Sequence, residues 1–105
     1  MASPLETQFN EAMLDIYRKA KSEAKYSAIR FLQMVTDHGG IETAHILINS
    51  PTVSDGYTAL WERGRLDLTV ESMVLENEKF HELFSEEELA ICRERLSQYL
   101  QKGRR

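Results

Sequence analysis

The stretch RLDLTVESMVLEN, Arg65–Asn77, decides the fold class of this chain. Its first half alternates apolar with polar residues, at Leu66, Leu68 and Val70. Alternation of this kind indicates a β-strand when it is taken alone. A helix is the competing interpretation, supported by a good N-cap at Asp67 and by the spacing of Leu68, Ser72 and Leu75. Because no second strand-like segment exists to pair with it, and an isolated strand is unstable, the sequence predicts a helix here and an all-α fold.

Helix signals also precede this stretch. Ser3, Pro4 and Glu6 predict a helix start, since Ser caps the helix, Pro suits its first position and Glu completes a capping box. The amphipathic stripe that follows is predicted to break near Lys25–Ser27, with Ser27 as the next N-cap. Gly39 and Gly40 are expected to end the second helix. The remaining predicted segments are a helix over Ile41–Asn49, a loop over Ser50–Gly56 and a short helix over Tyr57–Arg63.

The C-terminal part is predicted to form a connector and a last helix. The connector, Asn77–Phe84, is anchored by Phe80, Leu83 and Phe84. Ser85 and Glu88 predict a capping box, and the helix continues to about Gln101. Its buried stripe is expected to contain Leu89, Cys92, Leu96, Tyr99 and Leu100. The whole reads as one all-α domain of five or six short helices over residues 3–101, followed by a solvated tail, residues 102–105.

Composition limits the possible functions. The chain has 105 residues, with 17 acidic and 13 basic side chains and a formal charge of −4. That balance disfavours a general nucleic-acid coat, which needs excess Lys and Arg to displace counterions. Cys92 is the only cysteine, so no intrachain disulfide can form, and a reducing cytoplasm is the expected location. We recognise no signal peptide and no apolar stretch long enough to span a bilayer.

Candidate catalytic and metal-binding residues are scattered. His38, His45 and His81 share no ligand spacing with each other or with Cys92, which is expected to be a small core residue. No glycine-rich phosphate-binding loop is present. The sequence therefore predicts no metal site, no cofactor and no enzyme activity. The alternative is an enzyme whose site is assembled from distant residues such as His45, Glu71 and Arg65.

A helix-turn-helix interpretation remains a second alternative. The segment around Gly39 and Gly40 has the order helix, glycine turn, helix that this motif requires. However, the helix that would read DNA, Ile41–Asn49, contains no Arg or Lys. Base recognition relies mainly on Arg, Asn and Gln, with basic groups for phosphates. Nucleic-acid binding through this hairpin, or through Arg30, Arg63 and Arg65, is therefore disfavoured but kept as an alternative.

The segment GYTALWERGRLDLTVES, Gly56–Ser72, contains the predicted partner-binding residues. Trp61 is the only tryptophan and is expected at the centre of the core. Arg63 and Arg65 flank Gly64 and are expected to face outward. Arg65 then either pairs with Asp67 or Glu71 or stays free to bind an anion. Since Tyr and Arg are favoured in interface hot spots, the predicted partner surface consists of Tyr57, Arg63 and Arg65.

The same segment resembles a motif found in a family of small uncharacterised bacterial proteins. The resemblance extends from about Tyr17 to Tyr99, and four blocks carry it: FLQMV at 31–35, GGIETA at 39–44, GYTALWERGRLDLTVE at 56–71 and FSEEEL at 84–89, the last with Arg93 and Leu96. Relatives in that family often carry Gly-Tyr-Asn where this chain has Lys25-Tyr26-Ser27. The resemblance implies a bacterial cytoplasmic or mobile-element origin. It implies no reaction, ligand or catalytic residue.

The leading hypothesis from sequence is a non-catalytic helical module that binds another protein or a second copy of itself. It rests on the missing catalytic constellation and on the mixed charge of a compact helical chain. A small accessory or inhibitory protein of a bacterial conflict with phages or mobile elements fits this description.

Overall fold

The fold is all-α, as the sequence predicts. The computed structural model describes residues 3–102. Within that range there is no β-strand, and the chain forms six α-helices: α1 Pro4–Glu23, α2 Ile29–His38, α3 Gly40–Asn49, α4 Asp55–Glu62, α5 Val70–Glu76 and α6 Glu86–Lys102. Two 3₁₀ segments, Leu66–Leu68 and Glu78–Leu83, precede and follow α5. The predicted tail begins inside α6, at Lys102, and its remaining residues, 103–105, lie outside the described residues.

The predicted break after the first helix is present. The Ser3 hydroxyl accepts a hydrogen bond from the Glu6 amide and starts α1, which ends at Glu23. Lys25 then adopts a left-handed conformation with φ of 57°. The prediction that Ser27 caps the next helix is wrong, because the N-cap of α2 is Ala28, whose side chain has no group to accept a hydrogen bond.

A glycine pair joins α2 to α3, as predicted. Gly39 has φ of 85°, a conformation that glycine adopts without steric cost. Gly40 lies against α1, where its amide donates a 2.7 Å hydrogen bond to the Asn10 side-chain oxygen. A Cβ at Gly40 would be 3.2 Å from the Asn10 Cα atom, so the close contact between α1 and α3 requires glycine here.

The ambiguous stretch, Arg65–Asn77, is helical, with a different start from the one predicted. Residues 66–68 form a 3₁₀ turn, and α5 begins only at Val70. Asp67 is therefore not the N-cap. Thr69 has that role, since its hydroxyl accepts a hydrogen bond from the Ser72 amide. Burial does not alternate as it would in a strand, because Leu68, Thr69 and Val70 are all buried while Leu66 is half-buried.

Three phenylalanine rings form the centre of the core. Phe9 packs edge to face against Phe80 at 5.0 Å and lies 5.6 Å from Phe84. Of the three predicted connector anchors, Phe80 and Phe84 are buried and Leu83 is half-buried. Helix α3 contacts α1, α2 and α6, and α5 packs on α6. Cys92 is fully buried at the α6 face of this cluster, as predicted. Burial raises the pKa of its thiol to about 12, so the thiol stays protonated and unreactive.

Four residues predicted to be buried lie nearer the surface: Trp61, Leu96, Tyr99 and Leu100. Trp61 is half-buried on the short helix α4, where its indole N–H donates to the Tyr99 carbonyl and its ring packs edge to face on the Tyr99 ring. The prediction that it is the central core residue is therefore wrong, because the phenylalanine cluster occupies that place. Leu100 is 61% exposed, although its neighbour Tyr99 packs against α4.

The capping box of α6 forms as predicted. The Glu88 amide donates to the Ser85 hydroxyl at 3.1 Å, and the Ser85 amide donates back to the Glu88 carboxylate at 2.9 Å. Across the described range, 3–102, no helix combines the length and the apolar character that crossing a bilayer requires.

Candidate functional site

Arg63 joins the ends of α4 and α1. Its Nε atom donates to the Ala24 carbonyl at 3.0 Å, and one terminal nitrogen donates to the Ala59 carbonyl at 3.0 Å. The guanidinium lies over the Tyr26 ring, 5.2 Å from its centroid, in cation–π geometry. The side chain is exposed, as predicted, and two of its N–H donors bond backbone carbonyls of the protein itself.

Arg65 makes a second link between the same two regions. It donates two 3.1 Å hydrogen bonds to the Asp67 carboxylate and one of 2.8 Å to Glu23. The hydrogen bonds from Arg65 lower the pKa of Asp67. Of the two partners that the sequence allowed, Asp67 is correct and Glu71 is not. A contact of Arg63 or Arg65 with another protein stays a prediction.

Tyr57 is not part of the surface that carries the two arginines. Its side chain is only 2% exposed, and its ring packs edge to face on Tyr99 at 4.9 Å. Its position in the first turn of α4, capped by Ser54, turns the side chain inward. The three predicted partner-binding residues therefore do not form one continuous exposed surface in the free protein.

Instead, Tyr57 lines a cleft of about 330 Å³ bordered by α1, α2, α4, the start of α5 and the loop before α4. Its aromatic walls are Tyr17, Tyr26 and Phe31. We call the buried lining residues of the segment 57–71 the inner wall: Tyr57, Leu60, Leu68, Thr69, Val70 and Glu71. Exposed Arg30 and Asp55 border its opening. The cleft is thus mainly apolar, with a few polar groups at defined places.

A buried ion pair supports the inner wall from behind. Arg95 of α6 donates a 2.9 Å hydrogen bond to Glu71, and the two residues are 8% and 4% exposed. Burial raises the pKa of Glu71, while the hydrogen bond and charge of Arg95 oppose that shift. Arg95 also donates to the carbonyls of Leu47 and Ser50. It therefore holds the end of α3 and the loop that borders the cleft.

The sequence analysis missed Arg95 entirely. A signal for it exists, because Arg95 follows the buried Cys92 by three residues and so falls on the same face of α6. An arginine on a buried helical face requires an acidic partner. The spacing could therefore have identified an inward-facing ion pair, but it could not have identified Glu71 as the partner.

The three residues of the enzyme alternative are not brought together. His45 pairs with Glu88, Glu71 pairs with Arg95, and Arg65 pairs with Asp67 and Glu23. Only Glu71 of the three lines the cleft. Among residues 3–102, no group of three or more His, Cys, Asp or Glu side chains is placed to hold a metal ion.

Glu88 joins α3 to α6 through a polar network outside the cleft. Its carboxylate contacts the His45 ring and accepts a 2.7 Å hydrogen bond from Asn49. Burial alone raises the pKa of Glu88, but hydrogen bonds from the Ser85 amide, His45 and Asn49 outweigh burial and lower it. His45 and Asn49, two polar residues of the proposed DNA-reading helix, therefore have partners within the protein.

Comparison with known proteins gives no match: no protein-family model, no curated protein and no solved structure is significantly similar to this chain. The resemblance to small bacterial proteins stays a prediction.

Proposed function

We propose that this protein is a non-catalytic helical binding module and that the cleft is its binding site, with a small, mainly apolar molecule as the ligand. The observation that supports this proposal is the cleft itself. Its volume of about 330 Å³ falls in the range typical of small-molecule sites. Its lining is also typical, because aromatic and aliphatic side chains surround a few buried polar groups.

The packing around the cleft supports a preformed site. Arg63 and Arg65 tie the end of α4 to the end of α1, beside Tyr26, and Arg95 fixes the loop at Ser50. A site that is held open by such contacts loses little conformational entropy when a ligand binds. In this proposal the GYTALWERGRLDLTVES motif builds the cleft: its arginines position the walls, and Tyr57, Leu60 and Leu68 line it.

A titration with toluene tests this proposal. We expect the amide NMR signals of Leu60, Leu68 and Val70 to shift on binding, with saturation. The blocking variant is Gly56→Leu, because a side chain built on Gly56 meets the Tyr26 ring inside the cleft, its Cβ 3.7 Å away. The control is Thr58→Leu, on the same helix but outside the cleft lining. Equal toluene binding by both variants contradicts the proposed site.

The second candidate is the protein-binding module predicted from the sequence, acting in the bacterial cytoplasm as an accessory or inhibitory protein. Two exposed apolar side chains favour it: Ile29 and Leu100 are each 61% exposed. Its test compares the proteins that the original protein and the double variant Arg63→Ala/Arg65→Ala each retain from a bacterial lysate. Circular dichroism shows whether the variant is folded. Light scattering of the purified protein tests self-association. If the purified protein is a monomer and both proteins retain the same partners, the predicted partner surface is contradicted.

Nucleic-acid binding through the α2–α3 hairpin remains the third candidate. Glu42 is exposed on α3, and its carboxylate lies 3.6 Å from the His38 ring nitrogen. An acidic side chain is therefore present on the hairpin that DNA would approach. A fluorescence anisotropy titration at two salt concentrations tests this candidate. Salt-dependent binding would support it, and no binding at low salt would remove it.

A further inference from the structure

The polar side chains of the inner wall are not free to bind a ligand. The Thr69 hydroxyl donates to a backbone carbonyl at 2.7 Å and accepts from a backbone amide at 3.2 Å. The Glu71 carboxylate accepts a 2.9 Å hydrogen bond from Arg95 behind the wall. The Tyr57 hydroxyl is buried out of reach of a ligand. The inner wall therefore receives the apolar part of a ligand, and a charged group keeps its hydration only toward the opening.

Arg30 is the basic residue at that opening, and no other Lys or Arg of residues 3–102 lines the cleft. No ion pair of the same range includes its guanidinium. Because the residue both lines the cleft and is exposed, its aliphatic stem contributes to the wall while its guanidinium is solvated at the opening. Without a fixed contact, the guanidinium can turn toward a group that extends from a bound ligand.

The stability of α2 does not account for Arg30. The residue lies in the first turn of the helix, where a positive charge meets the positive end of the helix dipole. Gln33 and Met34, three and four positions later, offer no carboxylate for a helical ion pair. Asp55, the acidic residue of the opening, lies in the first turn of α4, where its charge stabilises the helix. The charge that the fold leaves unexplained at the opening is therefore the positive one.

We infer that the ligand of the cleft is an amphipathic monocarboxylate, whose apolar body lies against the inner wall and whose carboxylate meets Arg30 at the opening. This inference rests on the proposed function, since it assigns the ligand class of the same cleft. A guanidinium binds a carboxylate through two parallel N–H donors. A phosphate monoester, with a charge of about −1.5 to −2 at pH 7, exceeds the one positive charge present and is repelled more strongly by Asp55.

The test uses two probes that differ by one carboxylate, toluene and p-toluate, with the original protein and Arg30→Gln. The measured quantity is the Kd for toluene divided by the Kd for p-toluate, which removes the difference in probe hydration when the two proteins are compared. We expect this ratio to be about 2- to 5-fold larger for the original protein, the effect of one solvated ion pair. The affinity for toluene should be the same in both proteins.

Arg93→Gln is the matched control. Arg93 is exposed on α6 and does not line the cleft, so this variant changes the net charge equally and should leave the ratio unchanged. An equal decrease of the ratio in both variants overturns the inference, because the effect is then one of overall charge. An unchanged ratio in Arg30→Gln, with toluene still bound, overturns the inference while the proposed site stands. Binding of neither probe to the original protein overturns both.

Measurements that need no variant cover the case in which Arg30→Gln does not fold. We expect the original protein to bind p-toluate more tightly than 4-methylbenzylamine or p-tolyl phosphate, and the Kd for p-toluate to rise with sodium chloride. Tighter binding of the amine contradicts the sign of the ligand charge, and tighter binding of the phosphate contradicts the carboxylate. A Kd for p-toluate that does not change with salt contradicts the ion pair with Arg30.

Discussion

Lys25 has an unfavourable backbone conformation in the turn after α1. Its φ of 57° is left-handed, which brings the Cβ of an L-residue close to its own backbone. Lys25→Gly should therefore raise the free energy of unfolding by about 0.5–1 kcal/mol, the relief of strain minus the added entropy of the unfolded chain. Urea denaturation measures this change. Lys25→Ala removes the same charge but keeps Cβ, so an equal gain in both variants would contradict the conformational explanation.

The buried hydroxyl of Tyr57 should lower the stability of the free protein. Its hydroxyl is buried without a partner, and such a group costs about 1–3 kcal/mol of desolvation. Tyr57→Phe keeps the ring contact with Tyr99, so the variant should be as stable as the original protein or more stable. Thermal unfolding without ligand checks this prediction. A clear loss of stability would mean that the hydroxyl has a stabilising partner in the free protein.

Sequence analysis succeeds for residues whose partners are local. Ser85 and Glu88 are three residues apart, so one turn of backbone brings their capping groups together. It fails for Tyr57 and Trp61, because aromatic spacing on α4 does not reveal which side of a short helix faces the core. The inward turn of Tyr57 depends on where Tyr99 of α6 packs against α4, which no local pattern specifies.

At the scale of elements, the close contact between α1 and α3 depends on the absence of a Cβ atom at Gly40. A Cβ at Gly40 would lie 3.2 Å from both the Asn10 Cα atom and the Met13 side chain. Gly40→Ala should therefore destabilise the protein by about 1–3 kcal/mol, because the two helices must separate. Gly56→Ala is the control, since its Cβ meets only ordinary contacts of 3.7 Å or more in the first turn of α4. Urea denaturation of both variants should give effects of opposite sign.

Most element types could be predicted, while some boundaries could not. The start of α1, the glycine turn and α6 follow from capping residues and periodicity. Arg65–Asn77 was predicted as one helix capped by Asp67, yet a 3₁₀ turn and Thr69 come before α5. The side chain of Asp67 bonds Arg65 instead, and Arg65 also reaches Glu23 on α1. The Asp67 carboxylate therefore bonds Arg65, two residues away, and does not cap α5.

At the scale of the whole molecule, the pair of Glu71 and Arg95 joins α3, α5 and α6 behind the cleft. Arg95→Met leaves the Glu71 charge buried without its partner, which should cost about 3–5 kcal/mol. The double variant Glu71→Leu/Arg95→Met contains no unpaired charge and should recover part of that loss. Chemical denaturation measures both. If the double variant is no more stable than the single one, the loss comes from the freed carbonyls of Leu47 and Ser50.

The all-α fold follows from the sequence, but the cleft does not. Its walls come from residues 16–71, in helices whose relative placement depends on long-range contacts such as those of Arg63 and Arg95. The predicted site residues consequently have a different role from the one expected. Arg63 and Arg65 hold the walls, and Tyr57 lies inside.

The most direct test of the proposed binding site is a set of filtered NOEs between toluene and the methyl groups of the original protein. If the cleft is the site, the contacts will involve Leu60, Leu68 and Val70 of the inner wall. Contacts confined to the exposed side chains of Ile29, Ile46 and Leu100, or no contacts at saturating toluene, would contradict it.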